Sequence, residues 1–97
     1  MRIVLKEPSM PARVMVVPNE LRLLQQLVGG YIEVVQVTEH IAILCNEEGK
    51  LFRLDPNLEY NGDQLVGTVL FVGTKGDEFV SLSETDAKLL AGMYGGF

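Results

Sequence analysis

The chain has 97 residues, 47% of them apolar and 22% charged, with a net charge of −5. That length closes a single core and not two, so one domain over 1–97 is expected, and the apolar fraction is ample to offset chain entropy, which excludes a disordered chain. An excess of 13 acidic over 8 basic residues argues against binding duplex nucleic acid, and no apolar run approaches the length of a membrane span.

Residues 2–5 and 13–17 read as short strands, separated by EPSMPA, in which Pro8 and Pro11 fix φ and remove donors. Pro18 stops the second strand. Asn19 is placed to cap a helix, with Glu20 at its positive end. Leu21, Leu24, Leu27 and Val28 form one apolar stripe for a sheet, and Gly29 can close the helix in the left-handed region. After Gly30 the period changes to two. Tyr31, Glu33, Val35 and Val37 then point one way, and Ile32, Val34 and Gln36 the other. A turn over 38–40 leads into IAILC, a central strand by its apolar character. NEEG reads as a hairpin with positive φ at Gly49 and a return strand over 50–54. Residues 55–63 are rich in turn formers and read as the longest irregular segment. Residues 65–73 and 79–82 read as strands on either side of TKGDE. Ser83, with Asp86 three residues on, is a capping box that opens a helix to about Tyr94. The order is β-β-α-β-β-β-β-β-α. Short connections predict an α+β fold, a mostly antiparallel sheet of about five to seven strands with two short helices packed on it.

Few side chains form a catalytic pattern. His40 and Cys45 lie at odd spacing in an alternating strand, hence on opposite faces, so a Cys-His nucleophile pair is disfavoured. One histidine and one cysteine also make a zinc site of the usual kind unexpected. Glu47 and Glu48 read as a solvated hairpin tip. The expectation is no catalytic residue, no metal and no cofactor. The lone Cys45 reads as a buried thiol in a reducing cytoplasm, and MRIVLKEP has no apolar segment of the kind a signal peptide needs.

Two clusters offer binding chemistry. In CNEEGKLFRLDPN, the residues Asn46, Lys50, Arg53 and Asn57 supply the charged and neutral donors that a phosphate-bearing ligand needs. Lys50 and Arg53 have odd spacing, so one site uses both only with a bulge or a second subunit. Gly29 and Gly30 read first as a tight corner, with a ligand approaching the backbone beside Tyr31 as the sharper alternative. No phosphate-loop spacing is present. On the C-terminal helix Leu90, Ala91 and Tyr94 make one stripe, while Leu89, Met93 and Phe97 make another. Two apolar faces exceed what one sheet buries, so Leu89, Met93, Tyr94 and Phe97 are candidates for an interface with a second copy or a host protein.

NELRLLQQLVGGYIEVV, then CNEEGKL, then VGTVLFVG with EFVSLSE downstream, resembles the family known as domain of unknown function 3846. The likeness covers nearly the whole chain, its motifs fall in the family's order, and the sequence departs from the pattern around LFRLDPNLEY. The resemblance implies a small protein of phages and mobile elements of Firmicutes and related bacteria, acting in the host cytoplasm, and brings no catalytic residue with it. The expected function is that of a non-enzymatic binding protein that counters bacterial defence. It would sequester a small nucleotide-like immune signal as a homo-oligomer, a dimer or higher. The alternatives are an inhibitor that binds a host defence protein and a small hydrolase or nucleotide-modifying enzyme.

Overall fold

Unbroken apolar runs in RIVLK, IAILCN and VLFVGTK require a sheet buried on both faces, and that is what forms. The computed structural model describes residues 1–95; the interface expectation at Phe97 lies outside them. The elements are β1 (Arg2–Lys6), β2 (Arg13–Val16), α1 (Leu21–Val28), β3 (Ile32–Gln36), β4 (Ile41–Asn46), β5 (Pro56–Tyr60), β6 (Asp63–Val66), β7 (Val69–Lys75), β8 (Glu78–Val80) and α2 (Glu84–Met93). The expected α+β fold is present, and every strand pair is antiparallel. The main sheet has six strands in the order β2-β1-β7-β4-β3, with β8 also paired to β7, while β5 and β6 form a separate two-stranded sheet. Along one edge of β7, β1 covers Val69–Phe71 and β8 covers Gly73–Lys75.

Alternation sorts the sheet into two cores. Ile3, Leu5, Ala42, Leu44, Leu70 and Val72 pack with Leu24 and Val28 of α1. Val4, Ile43, Cys45, Val69 and Phe71 pack on the opposite face with Ala87 and Leu90 of α2 and with Leu58 and Leu65 of the β5–β6 hairpin. The Ser83 hydroxyl accepts a hydrogen bond from the Asp86 N–H at 3.0 Å, so the expected cap of α2 is formed. Among the described residues no helix is long and apolar enough to cross a membrane.

Several expected details are corrected. Residues 50–54 are not a return strand but part of a coiled turn, in which Phe52 N–H donates to the Glu48 carbonyl and Leu54 N–H to that of Gly49. Gly49 has no positive φ. It is required because a Cβ there would meet Val66 Cγ2 at 2.9 Å. Residues 55–63 are not irregular, since Asn61 and Gly62, at φ 52° and 79°, make the turn of the β5–β6 hairpin. The single strand expected over 65–73 is two, broken at Gly67 and Thr68, where the Gly67 N–H turns aside to the Asp55 carbonyl. Glu20, not Asn19, occupies the capping position of α1, without a side-chain bond, and the Asn19 side chain turns to β8, where its amide donates to the Phe79 carbonyl at 2.9 Å. Leu21 is 61% exposed and outside the core stripe; Leu23 takes its place.

Candidate functional site

The corner between α1 and β3 is built around one buried amide. Gly29 closes α1 at φ 85°, and the N–H groups of Gly29 and Gly30 both donate to the Gln25 carbonyl. The Asn46 Nδ2 donates to the Val28 carbonyl at 3.3 Å, and its Oδ1 accepts from the Glu48 N–H at 2.8 Å. A Cβ on residue 30 would lie 3.0 Å from that Nδ2, so the second glycine makes room for Asn46. Asn46 therefore staples the helix end to the turn after β4 and is committed to the fold.

The other donors expected at one site are dispersed. Lys50 forms an ion pair with Asp63, and the hydrogen bond from its ammonium holds its pKa above the ordinary value. Both border a cavity of about 190 Å³ whose rim also carries Glu33 and Glu47. Three carboxylates against one ammonium make this a poor place for an anion. Arg53 is exposed on the turn at φ 56°, a left-handed conformation unusual for a residue with a side chain. Asn57 donates to the carbonyls of Lys6 at 2.8 Å and Gly67 at 2.7 Å, tying the hairpin to the main sheet.

Tyr31 stands apart from that cluster, 68% exposed. With Arg22, Gln25, Gln26, Gly29 and Gly30 it lines an open hollow of about 500 Å³, a size within the roughly 300–1,000 Å³ range of small-molecule sites. Arg22 has no ion-pair partner among the described residues. Arg22, Gln25 and Gln26 were not singled out from the sequence. Their i, i+3, i+4 spacing, which gathers three polar groups on one side of the helix, is the signal that could have found them.

On α2, Leu89 and Met93 are 60% and 62% exposed. Tyr94 belongs to the core instead. Its ring stacks on Phe71 with centroids 5.2 Å apart, and its carbonyl accepts from the Ala12 N–H.

His40 lies in an exposed turn, whereas Cys45 is buried, and burial, helped by the charge of Glu33, pushes the thiol up from 9.0 to about 11. A protonated buried thiol is a poor nucleophile. Cys45→Ala is expected to cost about 1 kcal/mol in packing. The unfolded thiol releases its proton first as pH rises, so the wild type should lose stability between about pH 9 and pH 11 through this group. Melting curves across that range test this, and the variant should show a shallower alkaline decline.

No curated protein and no solved structure matches the chain. A family model described as a domain of unknown function matches residues 1–95, nearly the whole chain, and the protein belongs to that family, domain of unknown function 3846.

Proposed function

We propose that this protein is a non-enzymatic binding protein of a phage or mobile element, which captures a small anionic, nucleotide-like signal of bacterial defence and self-associates to do so. One observation carries the reading: the hollow at the end of α1 joins an exposed aromatic ring, a guanidinium with no ion-pair partner among the described residues, and two carboxamides. A ring such as Tyr31 offers a face on which a base can stack. Arg22 supplies the planar fork that suits phosphate oxygens. Gln25 and Gln26 can both donate and accept, as the edge of a base demands. The carboxyl end of α1 carries partial negative charge, which disfavours phosphate beside Gly29. The phosphate therefore belongs at Arg22, nearer the start of the helix, and the base at Tyr31. The defence setting comes from the family resemblance. The high pKa of Cys45 supports binding over nucleophilic catalysis.

The protein should be incubated with cyclic and ADP-ribose-type nucleotides, then heated to release whatever it holds. Intact ligand means capture, and altered ligand means an enzyme. For a captured ligand, Arg22→Ala should weaken calorimetric affinity by roughly tenfold to a hundredfold, the loss of one charge-assisted hydrogen bond. Arg53→Ala should leave it nearly unchanged. No uptake at all would favour the second reading, direct binding of a host defence protein. The observation behind that reading is the pair Leu51 and Phe52, 73% and 62% exposed on the turn after β4.

A further inference from the structure

An exposed sheet edge is a row of unused backbone donors and acceptors, and folded proteins usually block it. The edges at β2 and β8 are partly obstructed here. In β2 the ladder to β1, continued by the bond from Val17 N–H to the Met1 carbonyl, turns the backbone groups of Arg13, Met15 and Val17 inward. Positions 12, 14, 16 and 18 face outward. The Ala12 N–H is already bound by the Tyr94 carbonyl, and Pro18 has no N–H to offer, which leaves only Val14 and Val16 open between them, a shorter edge than that of β3. At β8, the Phe79 carbonyl accepts from the Asn19 amide.

The β3 end has no such device. Glu47 N–H donates to the Tyr31 carbonyl and Val37 N–H to that of Ile41, so Tyr31, Glu33, Val35 and Val37 bond inward to β4. By alternation, the backbone N–H and C=O groups of Ile32, Val34 and Gln36 point outward. Among the described residues, no backbone hydrogen bond from another segment reaches them. The strand contains no proline and no lysine, pairs with β4 without a bulge, and leaves Val34 48% exposed.

We propose that β3 is the interface of a twofold dimer, pairing antiparallel with β3 of a second copy about Val34, so that the two main sheets run on as one. The proposal rests on the self-association proposed above and gives it a surface. The occupant is specified by the strand's own pattern. Centred on Val34, the whole of β3 overlaps its copy, with Ile32 against the partner's Gln36, and all the outward backbone groups are used. Glu33 then faces the partner's Val35, and Tyr31 faces the partner's Val37, an aromatic against a β-branched residue, which is a favourable cross-strand pair. Centring on Glu33 would set two carboxylates opposite each other, which is unfavourable. The pairing also brings the partner's Val37 beside Tyr31, and hence beside the hollow at the end of α1.

Sedimentation of the full chain at high micromolar concentration tests this, together with amide hydrogen exchange at Val34. The wild type should be a dimer with a protected Val34 amide. In Val34→Pro the lost N–H makes no bond within the monomer, so proline is tolerated on this strand edge. This variant should weaken dimerisation by roughly a hundredfold while keeping a cooperative melt. Val34→Lys, which sets two ammonium groups together at the axis, should do the same and guards against misfolding of the proline variant. A monomeric wild type overturns the proposal, and if that monomer still takes up a nucleotide, the ligand reading stands without it. A dimer lost in Met93→Asp but kept in both Val34 variants also overturns it and moves the interface to α2. A dimer sensitive to Val34 that takes up no nucleotide upholds the pairing and removes the ligand reading.

Discussion

Phe71→Ala is expected to lower stability by about 3–5 kcal/mol, the usual range for removing a fully buried phenylalanine. Phe71 is 1% exposed and sits in β7, between Val4 of β1 and Ile43 of β4. Its ring is the seat of Tyr94, so the cavity would open beneath α2, in the core that Ala87 and Leu90 share. A domain of this size has only about 5–15 kcal/mol in total, and the variant should be partly unfolded at body temperature. Urea titration followed by circular dichroism measures the effect. An unfolding free energy within about 1 kcal/mol of wild type would mean that the α2 face repacks freely and that the Phe71–Tyr94 stack is incidental.

Gly73→Ala should do comparable damage by adding one carbon. A Cβ at Gly73 would lie 2.6 Å from the Ser81 carbonyl oxygen and 2.9 Å from that of Val80. Both are backbone atoms, which have no rotamer to yield. Either β8 leaves β7 or the central strand bends, at an expected cost of about 3 kcal/mol, the upper part of the overpacking range. Gly92→Ala in α2 is the control. Nothing lies within 4 Å of a Cβ there, and alanine in the last turn of the helix should raise stability by roughly half of the 1 kcal/mol that separates the two residues in a helix interior. Opposite signs from the same substitution would separate steric exclusion from backbone entropy. Equal losses at both positions would refute the close approach at Gly73.

Where the determining partner is local, the sequence was legible. The Ser83 cap depends on an N–H three residues away, the closure at Gly29 on the residue's own φ, and the two-sided burial of β4 on its unbroken apolar run. One failure traces to a partner far along the chain. Asn19 has the chemistry of a cap, yet an acceptor 60 residues later claims its amide. KLFRL alternates like a strand, but the N–H groups of Phe52, Arg53 and Leu54 turn back to the carbonyls of Glu48, Lys50 and Gly49. PNLEY and DQLV are too polar to signal strands, although Asn61-Gly62 between them was a hairpin sign in plain view.

The candidate site divides in the same way. Tyr31 was visible as an aromatic beside two glycines, whereas the polar stripe of Arg22, Gln25 and Gln26 went unread behind the apolar stripe of the same helix. That they share one hollow depends on the angle at which α1 meets β3, which Asn46 sets from another strand. The cluster of Asn46, Lys50, Arg53 and Asn57 looked like a site because its members are neighbours in sequence. A coiled turn and the Asn57 bonds to Lys6 and Gly67 disperse them.

The position of β7 in the main sheet has a consequence for the order of assembly. The β1–β2 and β3–β4 hairpins are made first on the ribosome and can zip locally, but no ladder joins one to the other. Only β7 binds both, and it begins at residue 69. Until then the nascent chain is two hairpins with no shared core, and each must wait with apolar residues unburied. Completing the sheet demands contacts that span most of the chain, the kind of topology that folds slowly and only near the end of synthesis.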